Sequence, residues 1–543
     1  MKKRRLAWIG AIAVAAIAMT GCSSSGGGGE SAEGSGTLTY LEPQTWLTLY
    51  PPSAGFYPNG GVVNQITDRL LYQNPETLEL EPWIAEALPE VNADATEYTF
   101  TLREGVTYSD GTPLDAENVV KNFDLYGAGD PDRGLPVSEA INNYDHGEAI
   151  DERTVKFVFS APAPGFAQAV STINSGLVSN ATLDRTSDEF GPGSATEIIG
   201  SGPFVVTDET IGTELALETR EDYDWAPPSR DHQGAAQIDG IDIIVASEAS
   251  VRVGTVVAGQ ADIARQIPAP DEPQFEAPGL TLVAASTNGV NNGLNLRFGH
   301  SLLEDLRVRQ AVIAGIDREA IVETLFTDSY PLATGALAKT ALGYTDTSSA
   351  YEYDPDRAAT LLDEAGWAPG ADGIREKDGQ QLILNFNEAL PQPRSKDVVT
   401  LIQEQLATIG IGVEQLSGDQ VAQEEATRDI DRIQVYHSMV GRADFDVIKS
   451  QFHTENRNAL QNLNSKTGEI TDPELDVLLD RIASVPTIEE RQAASEAAQL
   501  HLADNAYILP LFEESQVFGL RDTVHGFTTE SIGRPSFYGV TLN

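Results

Sequence analysis

Apolar and polar residues alternate along YTFTL (98–102) and TVKFVF (154–159), with aromatic and β-branched side chains on one face, which predicts two strands. In YDPDRAATLLDEAGW (353–367) the period becomes that of a helix. Asp354 is the expected N-cap and Pro355 the first helical residue, Ala358, Leu361, Leu362 and Ala365 share a face, and Gly366 ends the helix. In KDVVTLIQEQLATIGIGVEQL (396–416) the face is Val398, Ile402, Leu406 and Ile409, Gly410 is the stop, and an apolar strand follows. Thr487 and Glu490 form a capping box ahead of another helix, which leads to the buried-strand run AYILPLF (506–512). LREGVTYSDGTPLDAENVV (102–120) predicts a strand, a turn at Asp110-Gly111 and a helix that Asp115 caps. In GSGPF (200–204) two glycines allow close backbone approach before a strand, and LRVRQAVIAGIDREAIV (306–322) places Val308, Ala311, Val312 and Gly315 on one helix face before Asp317 starts the next helix. The class is α/β, built from helix-then-strand units.

The first residues, MKKRRLAWIGAIAVAAIAMTGC, follow another pattern. Lys2, Lys3, Arg4 and Arg5 precede an apolar stretch of about 14 residues, shorter than the roughly 18–20 a membrane-spanning helix needs, so residues 1–21 are expected to be a secretion signal that is removed. Met19-Thr20-Gly21-Cys22 resembles a bacterial lipobox. That resemblance implies that Cys22 takes a diacylglycerol thioether and becomes the mature N-terminus, against the alternative of a plain signal peptide with an incidental cysteine. Residues 22–36 are then a Gly/Ser tether that cannot bury enough apolar surface to fold. The body is expected to sit at the outer face of the cytoplasmic membrane, extracellular or periplasmic.

Cys22 is the single cysteine, so the body has neither disulfides nor thiolate metal sites. The 82 acidic residues against 35 basic ones give a formal charge of −47, which makes nucleic acid and anionic lipid poor partners. The acids are scattered, as on a solvated acidic surface. Roughly 500 residues beyond the tether are too many for one core and suit two or three domains. No H-E-x-x-H helix, G-x-S-x-G elbow or phosphate-binding G-x-x-x-x-G-K-[ST] loop occurs. An anchored, secreted hydrolase is the alternative from a different class, and only a carboxylate-pair glycosidase stays open by motif.

Several blocks share an order and spacing with a known group: LEPWIAEALPE (80–90), YTFTLREGVTYSDGTPLDAENVVKNFD (98–124), GSGPFVV (200–206), ETREDYDWAPP (218–228), VVAGQADIA (256–264), and the helical segments from 306 onward described above. The chain resembles the extracellular solute-binding proteins (family 5) of peptide- and nickel-type ABC importers. The resemblance implies a two-lobed, periplasmic-binding-protein-like fold of type II, in the peptide-binding subgroup with an extra inserted domain. Lobe one would use 37–75, 195–291 and 514–543, the inserted domain 76–194, and lobe two 292–513. It further implies a monomer with no cofactor and no catalysis, which closes on a solute and delivers it to a permease with its ATPase subunits. An oligo- or dipeptide is the expected solute, with nickel or another metal chelate, or an oligosaccharide, as alternatives.

By the same resemblance, ligand contacts are expected in IQVYHSMVGRADFDV (433–447), where Arg442 and Asp444 would meet charged groups of the ligand or pair with each other, and Tyr436, His437 and Met439 would be walls. In LTLYPPSAGFYPNGG (47–61), Tyr50 stands where an aspartate is common, and Phe56 and Tyr57 would stack on a ligand or pack the turn. Asn295 would bond a ligand or only the backbone. His437 and His453 are too far apart in sequence to form a local chelate.

Overall fold

A computed structural model describes residues 36–390, 392, 394–455 and 459–543; the signal, Cys22 and nearly all of the tether lie outside them. The described chain is two-lobed and mixed α/β. One lobe is built on a seven-stranded sheet in the order Leu280–Ser286, Ser515–Arg521, Ile263–Arg265, Thr37–Glu42, Gly240–Val245, Glu214–Thr219, Phe204–Thr210. Thr37–Glu42 is its central strand, running parallel to Gly240–Val245 and to Ile263–Arg265. The other lobe has a five-stranded sheet in the order Gly412–Leu416, Ile383–Asn387, Val435–Gly441, Gly289–Leu296, Ile508–Phe512. Gly289–Leu296 and Ile508–Phe512 are buried at every position, which explains why neither shows polar/apolar alternation.

The two alternating segments pair with each other, Glu97–Thr101 antiparallel to Thr154–Phe159, in a separate four-stranded sheet. Their inward aromatics meet the helix Ala116–Ala128 through Phe123, 4.8 Å from Phe157, and meet Phe166, 4.7 Å from Phe159. Asp115 caps that helix by accepting the Asn118 N–H at 2.9 Å. Asp354 and Asp317 likewise cap Pro355–Glu364 and Arg318–Leu325. At Thr487 the capping box is half formed. Its hydroxyl accepts the Glu490 N–H and donates to the Glu490 carboxylate at 2.9 Å, which therefore does not reach the backbone.

The chain crosses between the two large sheets twice, at Thr287-Asn288 and at Glu513-Glu514, and the Thr287 N–H donates to the Glu514 carbonyl at 2.9 Å. The crossings are therefore neighbours. Residues 289–291, assigned to lobe one by sequence, belong to the five-stranded sheet, because the strand starts as soon as the chain has crossed.

The glycines of GSGPF do bring two backbones together. A Cβ on Gly200 would lie 1.8 Å from the Ile66 carbonyl oxygen, and one on Gly202 2.5 Å from the Ile66 carbonyl carbon. Gly200→Ala is expected to destabilise the protein by about 1–3 kcal/mol through overpacking, whereas Gly254→Ala, with open space around an exposed helix position, is expected to stabilise it by up to about 1 kcal/mol. Urea unfolding of the two variants checks the contrast.

Candidate functional site

A cavity of about 260 Å³ lies where the crossings meet, with walls from both lobes. Its position follows from how two parallel strands separate. Ile383–Asn387 touches Val435–Gly441 in register only at Phe386 and Val435, after which the strands part. The Asn387 side chain fills the gap in place of a strand. Its Nδ2 donates to the His437 carbonyl at 3.0 Å and its Oδ1 accepts the His437 N–H at 2.8 Å. A crevice at the carboxyl ends of diverging parallel strands is the usual ligand position in α/β sheets. Past His437, the edge of Ser438–Gly441 turned away from Gly289–Leu296 has no strand against it among the described residues.

A buried polar chain lines the base of the crevice. The His437 ring bonds Ser395 Oγ through Nδ1 at 3.0 Å and Asn292 Oδ1 through Nε2 at 2.6 Å. Asn292 Nδ2 donates to Gln392 Oε1 and to Glu514 Oε2, at 2.8 and 3.1 Å, so its Oδ1 accepts, and Nε2 of the ring carries the proton. Burial pushes His437 down to about 4. It pushes Glu514 up to about 7, although Asn292 and the Arg265 charge both work against that rise.

On the other wall, Arg265 and Glu42 form a buried ion pair, with Nε 3.0 and 3.1 Å from the two carboxylate oxygens. Arg265 Nη1 also donates to Gln516 Oε1 at 3.0 Å, and its guanidinium lies 4.0 Å from the Tyr57 ring centre. The Tyr57 hydroxyl donates to the Gly533 carbonyl, which ties the residue to the C-terminal segment.

Protonating His437 would charge a group that faces an amide and a hydroxyl. Its folded pKa lies below the unfolded value of about 6.5, so the neutral ring contributes stability that is present above pH 6.5 and lost as pH falls towards 4. The stability difference between the protein and His437→Asn is expected to fall by about 3 kcal/mol from pH 7 to pH 4, measured by denaturant unfolding at each pH.

Of the residues expected at the site, Phe56, Tyr57, Tyr436, His437 and Met439 line the cavity. Tyr50 does not. It is 1% exposed, its ring packs 5.1 Å from Phe190 and 5.9 Å from Tyr126, and its hydroxyl donates to the Pro136 carbonyl, so it is a core residue. Asn295 is also off the wall, buried between strands, with Nδ2 donating to the Tyr436 carbonyl and to Ser438 Oγ. Arg442 and Asp444 pair with each other, buried beyond the strand end at Gly441, where the chain turns towards the segment containing Gln73 and Leu78. There the Gln73 amide donates to the Ala443 carbonyl at 2.8 Å. His453 is buried beside Asp480, its Nε2 3.3 Å from the carboxylate, and is not among the residues lining the cavity.

Sequence reasoning missed Arg265, Asn387, Glu514 and Gln516. Each stands at or next to the end of a strand, Glu514 just after the run AYILPLF, and polar residues at strand ends are the signal that would have found them.

The model of the bacterial extracellular solute-binding proteins, family 5 (middle region), matches residues 79–469. The chain belongs to this family, whose members are solute-binding components of ABC importers for peptides or metal chelates. Protein XP55 of Streptomyces lividans is 28% identical over 518 residues, covering 94% of this chain and 88% of its own. NikA from Brucella suis, solved with Fe(III)-EDTA, superposes with a TM-score of 0.78 at 23% identity, covering 94% of this chain and all of its own. The oligopeptide-binding protein AppA from Bacillus subtilis, solved with a nonapeptide, gives 0.77 at 19% identity, covering 94% and 99%. Among the described residues no helix is long and apolar enough to cross a membrane.

Proposed function

We propose that the protein captures short peptides between its lobes and hands them to an ABC permease, without catalysis. The observation carrying this reading is the uncovered edge of Ser438–Gly441 beside the cavity, because an extended peptide can pair with such an edge through its backbone. AppA holds a nonapeptide within the same fold, which supports the reading. A ligand that touches both walls gains its second set of contacts only on closure, so binding shifts the population to the closed form. The Met19–Cys22 run supports lipid anchoring through Cys22 at the outer face of the cytoplasmic membrane, and the sheet composition supports lobes divided as 37–75, 195–291 and 514–543 against 292–513, with 76–194 inserted and the boundary at 291/292 moved to the crossing at 287–288. We assign a monomer to this arrangement.

A thermal-shift screen against di- to octapeptides, nickel chelates and oligosaccharides tests the ligand class, because a ligand that binds only the folded state raises Tm with concentration. A rise with peptides is expected. A rise with chelates or sugars alone would overturn the peptide reading while leaving the family intact.

A further inference from the structure

The charged groups on the cavity wall are not equally occupied. Arg265 faces Glu42 and Gln516. Arg534 lies 3.7 Å from Glu530 and gives Nη2 to the carbonyls of Ala54 and Gly55 at 3.3 and 2.6 Å. Both arginines on the wall therefore already have anionic partners within the protein. Glu514 differs. It is 4% exposed and lines the cavity, its Oε2 accepts only the Asn292 amide, and its Oε1 takes no hydrogen bond among the described residues. No cationic side chain reaches it within ion-pair distance among those residues. Glu388 on the facing wall is likewise outside any ion pair there.

A buried carboxylate without a cation is costly, and a ligand cation placed against it gains a charge-assisted hydrogen bond. The backbone of Glu514 is fixed by the Thr287 N–H at the crossing, so this carboxylate is positioned before either lobe moves. We propose that Glu514 is the seat for a ligand ammonium or guanidinium, so that the cleft selects peptides with a basic side chain over those with an acidic one. Burial pushes the empty carboxyl up to about 7, as expected for a site that lacks its counter-charge. The assignment rests on the peptide reading, but its recognised chemistry, a protonated nitrogen, also occurs in polyamines.

Calorimetric titration of the full chain with Ala-Lys-Ala, Ala-Leu-Ala, Ala-Glu-Ala and spermidine separates these cases. The lysine peptide is expected to bind at least about tenfold tighter than the glutamate peptide. Glu514→Gln, which keeps an acceptor for Asn292, is expected to lose about tenfold or more for the lysine peptide and less for the leucine peptide, so that the preference for lysine over leucine falls. Equal binding of the lysine and glutamate peptides to the unaltered protein would overturn the assignment and leave the peptide reading standing, a result that does not depend on the variant folding. Undiminished affinity of folded Glu514→Gln for the lysine peptide would overturn it too. Binding of spermidine with no peptide bound, lost in Glu514→Gln, would uphold the cation seat and overturn the peptide reading. Silence from all four solutes would overturn both.

Discussion

Arg265→Ala is expected to destabilise the protein by about 3–5 kcal/mol, because it leaves the Glu42 carboxylate buried without its counter-charge. The two side chains are 4% and 6% exposed, and among the described residues only the Tyr40 hydroxyl, donating to Glu42 Oε2 at 2.8 Å, would still bond the carboxylate. The same substitution removes the donor to Gln516 and the guanidinium over Tyr57, so the lobe-one wall of the cavity loses its support. Replacing both partners, as Glu42→Gln with Arg265→Met, is expected to cost less than Arg265→Ala alone, since no uncompensated charge remains. Urea unfolding of Glu42→Gln, Arg265→Met and the double variant gives the coupling directly. Equal costs for single and double variants would mean that the packing of Arg265, and not its charge, holds this wall.

Arg491→Ala is expected to cost a similar amount, about 3–5 kcal/mol, at a different place. Arg491 is 2% exposed, donates Nη2 to Asp446 and Nε to the Ile482 carbonyl at 2.9 Å, and lies 4.8 Å from the Phe445 ring centre. Asp446 in turn abuts Gly165, which precedes the short helix Phe166–Ala169 beside the four-stranded sheet, so closely that a Cβ there would meet Asp446 Oδ2 at 2.2 Å. The pair thus lies between the five-stranded lobe and the four-stranded unit. Gly165→Val is expected to push the buried Asp446 carboxylate off Arg491 and to destabilise the protein by about 1–3 kcal/mol through overpacking. Arg491→Ala removes the counter-charge outright and leaves Asp446 buried without a cation, so its loss in the unfolding curve is the larger.

The parts of the fold governed by local rules were readable in the chain. Asp115, Asp317 and Asp354 cap the helices they were expected to cap, and AYILPLF supplies a strand buried on both faces. Phe56, Tyr57, Tyr436, His437 and Met439, named through the family resemblance and not through local pattern, line the cavity. Tyr50 does not, because its burial is decided by Tyr126 and Phe190, more than seventy residues downstream. Arg442 and Asp444 were read as a charged strand end, with ligand contact and mutual pairing both open. Their turn away from the cavity depends on Gln73 and Leu78, which no local pattern connects to them. Glu514 shows the same limit from the opposite side. An acid after an apolar strand is common, and only the crossing of the chain beside Thr287 places it in a cleft.

In the proposed function a peptide lies in the crevice opened by the parting of Ile383–Asn387 and Val435–Gly441, along the uncovered strand edge. Hydrogen exchange, with and without a saturating peptide that raises Tm, tests this most directly. Added protection of amides in 436–441 and 387–390, on both sides of the crevice, together with the crossing at 287–288, is the expected result. Saturable binding with protection confined to other segments, and none along 436–441, would contradict it.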